Sequence, residues 1–133
     1  MAGVLVDSNI FIFAEIAEFP EHELAVAKLQ QLKDERFVIN TITISEVHYK
    51  LGKVLGWSEA EKRSSDIIRS GFSIYEPIFA ETITRAFKLS KAHKMKTNDA
   101  VIAQHCLDLR AKILTDNVKD FKKVPKLDII SLK

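Results

Sequence analysis

Glycine is scarce in this chain, with four in 133 residues, and cysteine scarcer still, with Cys106 alone. The glycine shortage bears on nucleotide sites, because a dinucleotide cofactor needs a G-x-G-x-x-G turn after the first strand. Val6-Asp7-Ser8-Asn9 stands there instead, and an acid at that point repels a pyrophosphate. Neither the G-x-x-x-x-G-K-[ST] phosphate loop nor H-E-x-x-H occurs. One cysteine cannot pair within the chain, so Cys106, in the apolar-rich run 100–109, reads as a small core hydrophobe. A reducing cytoplasm is then the expected compartment. His22, His48, His93 and His105 show no ligand-like spacing and read as surface or helix-end residues, a poor zinc set even with Cys106. Long apolar runs are missing too: residues 10–14 fall far short of the roughly 20 a membrane helix requires, so no membrane partner is expected. An acid as early as Asp7 also argues against a secretory signal. A net charge of +2 permits nucleic acid as a partner without demanding it.

What is present is the balance of a globular protein, 47% hydrophobic and 29% charged, in one domain's length spanning 1–133. A domain of this size can bury a core without a disulfide or structural zinc. Apolar runs at 3–7, 36–40, 72–75, 112–115 and 128–131 read as short strands. Between them, 8–18, 21–34, 43–55, 58–70, 78–93 and 97–109 read as helices. Leu24 is placed on the apolar side of the second of these and Phe87 on that of the fifth. Thr43 with Glu46, and Ser58 with Glu61, have capping-box spacing, and 116–125 reads as a polar connection. Strands alternating with helices predict an α/β fold, a three-layer α/β/α domain on a mostly parallel sheet.

In such a sheet the ligand crevice lies beyond the carboxyl ends of the strands. Four acids are expected there: Asp7 after the first strand, Glu46 in the first turn of the next helix but two, Asp99 in the first turn of the 97–109 helix, and Asp116 after the fourth strand. Asn9, Asn40, Thr43, Thr97, Asn98, Thr115 and Asn117 surround them with oxygen-bearing side chains. Each acid has an ordinary structural explanation as a helix cap, a helix-dipole partner or a turn residue. Crowded at one rim, however, carboxylates repel one another unless a cation is present. A hard, histidine-free oxygen cluster suits Mg²⁺ or Mn²⁺, and the chemistry that follows is attack of water on a phosphodiester.

The same residues carry a family resemblance. Val6-Asp7-Ser8-Asn9, Ile44-Ser45-Glu46-Val47, Asn98-Asp99-Ala100-Val101-Ile102-Ala103 and Leu114-Thr115-Asp116-Asn117-Val118-Lys119-Asp120-Phe121 resemble, in order and spacing, the motif series of PIN-domain ribonucleases. The likeness is nearest to VapC-type toxins of toxin–antitoxin pairs. It implies a PIN-like fold and a Mg²⁺- or Mn²⁺-dependent endoribonuclease with Asp7, Glu46 and Asp99 as core carboxylates, Glu46 orienting a metal or its water. It also implies an RNA substrate, a small antitoxin protein and a homodimer. The chain departs from the pattern once: many members carry their fourth acid two residues after the threonine, where this sequence has Asn117. Neighbouring Asp116 is the expected fourth site residue, with Asn117 and Asp120 as contenders and Asn9 and Thr115 as accessories.

Lys91, Lys94 and Lys96, and later Lys119, Lys122, Lys123 and Lys126, read either as solvated, dipole-favoured helix ends or as phosphate contacts. No aromatics interleave with either run, so stacking of single-stranded bases is not indicated. Two other classes compete with the nuclease. A catalytically silent PIN-like module would bind RNA or protein without divalent ions. A signalling receiver gathers acids at strand ends as well, but it carries an acid pair near the first strand's end that this chain lacks. A haloacid-dehalogenase-like phosphatase would need a second Asp where Asn9 stands.

Overall fold

The computed structural model describes residues 3–133, so the first two residues of the expected 1–133 domain lie outside the described residues. Five short strands, β1 (Val4–Val6), β2 (Phe37–Ile39), β3 (Ile74–Tyr75), β4 (Lys112–Thr115) and β5 (Ile129–Ser131), form one sheet in the order β3-β2-β1-β4-β5. Every pairing is parallel, with Val4 opposite Phe37 on one side and Lys112 on the other. The expected mostly parallel sheet is thus wholly parallel. Around it lie α1 (Ser8–Glu15), α2 (His22–Gln31), α3 (Thr41–Leu55), α4 (Trp57–Arg69), α5 (Ala80–His93), α6 (Thr97–Leu109) and α7 (Val118–Phe121).

Strand alternation divides the core in two. Val4, Val6, Phe37, Ile39 and Leu114 point to one face and pack with Ile10, Phe11, Val47 and Leu51 of α1 and α3. Leu5, Val38 and Ile113 point to the other and pack with Ala86 of α5 and with Ala100, Ile102 and Cys106 of α6. Central strands buried on both faces explain why these runs are apolar without alternating with polar residues. Cys106 is fully buried and its thiol is pushed strongly upward by desolvation, the inert core role expected of it.

The chain goes from β1 outward to β2 and β3, then returns to the other side of β1 for β4 and β5. Strand order therefore reverses between β1 and β4, and the crevice of a parallel sheet opens at such a point. Asp7 follows β1 there and donates its backbone N–H to the Leu114 carbonyl at 2.9 Å, while Thr115 ends β4.

Several local expectations change. Asn40, not Thr43, caps α3: Asn40 Oδ1 accepts the Thr43 N–H at 3.0 Å and Thr43 Oγ1 accepts the Asn40 N–H at 3.1 Å. The helix consequently starts at Thr41, which places Glu46 in its second turn and leaves that carboxylate no capping task. Ser58 and Glu61 form no box either, because Gly56 at φ 91° turns the chain directly into α4 at Trp57. The connection at 116–125 contains α7, held by the fully buried Phe121. Leu24 and Phe87, placed on apolar faces by their spacing, are 40% and 54% exposed, since Ala25 and Ala86 bring α2 and α5 onto the core. Among the described residues no helix is long and apolar enough to cross a membrane.

Candidate active site

Asp7 is placed by two hydrogen bonds with separate origins. As the N-cap of α1 it accepts the Ser8 N–H on Oδ1 at 2.8 Å, and on Oδ2 it accepts the Thr115 hydroxyl at 2.7 Å from across the β1/β4 boundary. Thr115 is itself fully buried, and its Oγ1 accepts the Asn117 N–H at 2.8 Å. That relay ties the loop after β4 to the first acid. Thr115 is thereby a positioning residue whose side chain works behind Asp7.

In front of Asp7 lies a cavity of about 440 Å³. Asp7, Ser8 and Asn9 line it from the start of α1, Glu46 from α3, and Lys96, Thr97, Asn98 and Asp99 from the start of α6. Asn117 and Asp120 close it from α7 and the turn before it. The three core acids of the sequence analysis thus meet, with Asn9 among them. Asp116 does not line this cavity: its carboxylate points to Lys133, Nζ to Oδ1 at 3.8 Å. The pleat explains the difference, because adjacent residues leave a strand end in opposite directions. Of the basic runs, Lys96 alone reaches the cavity.

Burial acts on all three core acids, and charge repulsion adds to it at Glu46 and Asp99. Desolvation pushes the Asp7 carboxyl above its ordinary value, outweighing the Thr115 and Ser8 hydrogen bonds. Glu46 is raised by desolvation and then by the charges of Asp7 and Asp99, with the Ser8 hydroxyl acting the other way. Asp99 is raised by desolvation and by Asp7 and Asp120, with Lys96 offsetting part of the effect. Three carboxyls on separate elements that each resist ionising together form a site short of positive charge. Hard oxygen donors are what a small divalent cation takes. Among the described residues no three His, Cys, Asp or Glu side chains converge into a closed ligand cage. Such an open ring fits an ion that retains several waters, as Mg²⁺ does.

Behind the site lies a histidine that its pattern conceals. His105, expected at a surface or helix end, is 2% exposed on α6, and its Nδ1 stands 3.0 Å from Asn40 Nδ2. Asn40 Oδ1 is already occupied by the Thr43 N–H, so its amide donates and His105 Nδ1 accepts. The ring is then neutral with its proton on Nε2, in keeping with the downward pull that burial exerts on His105. Nε2 is directed toward the Pro77 backbone, short of a well-formed hydrogen bond. This pair joins the cap of α3, which carries Glu46, to the middle of α6, which carries Asp99. Asn40→Ala should remove the cap and leave Nδ1 unpaired, costing about 2 kcal/mol, read as a lower urea midpoint at unchanged slope.

The chain is 27% identical over 129 residues to Ribonuclease VapC2 of Rickettsia felis, covering 92% of each. In structure it is similar to VapBC2 from Rickettsia felis bound to a promoter DNA fragment, with a TM-score of 0.77 at 21% identity over 96% of this chain and 97% of that one. It is equally similar to the DNA-bound VapBC of Salmonella typhimurium, with a TM-score of 0.78 at 19% identity over 100% of both chains. Those likenesses confirm the expected α/β fold. The model of the PIN domain matches residues 4–127, all five strands but the last among them, and the chain belongs to the PIN domain family.

Proposed function

We propose that this protein is a VapC-type endoribonuclease that hydrolyses RNA phosphodiester bonds at the Asp7–Glu46–Asp99 cavity with Mg²⁺ or Mn²⁺. The observation that carries this reading is the meeting of three carboxyls raised by burial, two of them also by the charge of Asp7, beside a fourth, at the strand-order reversal of a PIN fold. Asp7, Asp99 and Asp120 would hold the ion, directly or through its waters, and Glu46 would complete the ring. Asp120 takes the fourth place here in preference to Asp116, because it faces Asp99 while Asp116 faces Lys133. When bound, the ion lowers the pKa of an attacking water and stabilises negative charge on the phosphate oxygens.

The chain's own groups supply the rest. Glu46, half-buried and free of capping, can accept the proton of a water aligned with the scissile phosphorus. Its raised pKa brings it nearer to the working range of a general base. The amides of Asn9 and Asn98 can donate to phosphate oxygens, and the Lys96 ammonium at the same rim neutralises substrate charge. Thr115 keeps Asp7 in one rotamer, so the acid need not reorganise as charge develops.

The partners follow from the same relatives. VapBC structures pair a toxin with an antitoxin, and a small antitoxin protein is the proposed inhibitor of this chain. The homodimer is tested by sedimentation of the purified chain.

The deciding experiment incubates EDTA-stripped protein with a mixed-sequence RNA, with and without 5 to 10 mM Mg²⁺ or Mn²⁺, about the range in which weak hydrated sites fill. Cleavage that depends on the ion and disappears in Glu46→Gln supports the reading. RNA affinity without any dependence on a divalent ion would assign the chain to silent binding modules instead.

A further inference from the structure

The acidic cavity does not end at Glu46. A second groove of about 610 Å³ continues from it between α1 and α3, and Ser8, Asn9, Glu46, Lys96 and Asn98 line both. Its chemistry changes along its length. Beyond the shared residues its walls carry Lys50 and no further acid, its floor is Ile12 and Ile42, and Tyr49 stands at its side. Tyr49 is 57% exposed, although an aromatic ring of that size is costly to leave in water. The ring is nonetheless held in place, with Lys53 Nζ 5.3 Å from its centroid and the Trp57 ring 6.3 Å away.

We propose that this groove binds the nucleotide adjoining the scissile phosphate of a single-stranded RNA, with its base against Tyr49 and its phosphate between Lys50 and Lys96. The inference rests on the ribonuclease reading above and adds to it the strand's path and a residue that discriminates among substrates. Three features select this occupant. The groove opens directly into the acidic cavity, so a chain lying in it passes its next phosphodiester over the acids. Its cations suit a polyanion, whereas the neighbouring acids repel one unless a metal ion lies between. An exposed, buttressed aromatic beside lysines is the arrangement on which unpaired bases stack, and the volume is ample for one nucleotide. No aromatic interleaves with the basic runs in sequence, but the fold lets Tyr49 of α3 line the same groove as Lys96 at the cap of α6. A duplex keeps its bases stacked inside and gains nothing from Tyr49, so the groove favours single strands.

The test uses the full chain carrying Asp99→Asn, so that bound RNA persists, and reads fluorescence anisotropy of a labelled single-stranded RNA octamer in buffer without metal. Adding Tyr49→Ala should weaken binding about tenfold, and Tyr49→Phe should restore it, since the ring and not the hydroxyl carries the contact. Lys50→Gln should weaken binding and lower the slope of log affinity against log salt by about 0.7, one phosphate contact's worth. Circular dichroism verifies that these surface variants fold. Octamer affinities of Tyr49→Ala and Lys50→Gln equal to that of the parent overturn the proposal, even if the wild type cleaves RNA. Tyr49-dependent binding together with a wild type that never cleaves would keep the groove as a single-strand site and remove the ribonuclease reading, so the two failures are distinguishable.

Discussion

Replacing Asp99 by asparagine should abolish metal-dependent RNA cleavage, by about a hundredfold or more, and at the same time raise the unfolding temperature of the metal-free protein at neutral pH. The first effect follows from position: Asp99 shares its cavity with Asp7, Glu46 and Asp120, and an amide supplies neither the charge nor the basicity of that ligand. The second follows from the direction of its pKa. Asp99 and Glu46 stand above their ordinary values of 3.8 and 4.5, so the folded protein holds protons that the unfolded chain has released. Stability from this source is complete below those ordinary values and is lost as pH rises through the folded ones. At pH 7 the metal-free site is therefore strained by like charges, and Asn at 99 relieves Glu46 as well as itself. Lowering the pH of the wild type from neutral toward 4.5 should recover part of the same stability. His105 acts oppositely, since its depressed pKa costs stability as pH falls below its ordinary 6.5. The difference between wild type and Asp99→Asn at each pH removes that contribution. Saturating Mg²⁺ should raise the wild-type midpoint and leave the variant nearly unmoved. Thermal scans at pH 5 and 7 with and without the ion measure all of this. An Asp99→Asn protein less stable than wild type without metal would show that the carboxylate is held by favourable contacts and not strained.

The architecture was legible because the central strands are short, apolar and separated by helices, so alternation alone gave the order of elements. Asp7 and Asp99 were legible for a related reason: in a parallel sheet, residues just past strand ends and at helix starts share a rim, which Glu46 reaches from one turn further along α3. What remained hidden depends on choices that sequence spacing cannot rank. Asn40 and Thr43 both cap helices well, and only the extended backbone at Asn40 decides that α3 begins two residues earlier than expected. Asp116 was the expected fourth acid ahead of Asp120, and spacing gave no warning of its direction: it leaves the strand end toward Lys133, whereas Asp120 lies on a turn of helix facing Asp99. That turn was itself invisible, since four residues are too few to show a period. His105 was misplaced because a lone histidine has no pattern, and its burial is made tolerable by Asn40, 65 positions away.

Phe121→Ala should cost about 3 to 5 kcal/mol of stability and also weaken divalent-ion binding, although its side chain does not line the acidic cavity. Phe121 is fully buried among Leu5, Ile113, Ala103 and Val124 on the α6 side of the sheet. In a segment that is otherwise Val118, Lys119 and Asp120, it is the only fully buried side chain, and a four-residue helix has almost no stability of its own. The short helix therefore exists where it does because Phe121 is anchored there. Asp120 precedes that anchor by one residue and faces Asp99 because of it. Truncation leaves a cavity beneath α7 and releases Asp120 from its place at the rim, so folding and ion binding should fall together. Phe121→Leu, which refills most of the volume, should recover most of both. Asp120→Asn keeps the anchor and removes the charge, and it should weaken the ion with little loss of stability. Urea unfolding gives the first quantity and Mn²⁺ calorimetry the second. If Phe121→Ala lost its stability but bound Mn²⁺ as tightly as wild type, Asp120 would have no part in the site, and Asp7, Glu46 and Asp99 would have to hold the ion alone.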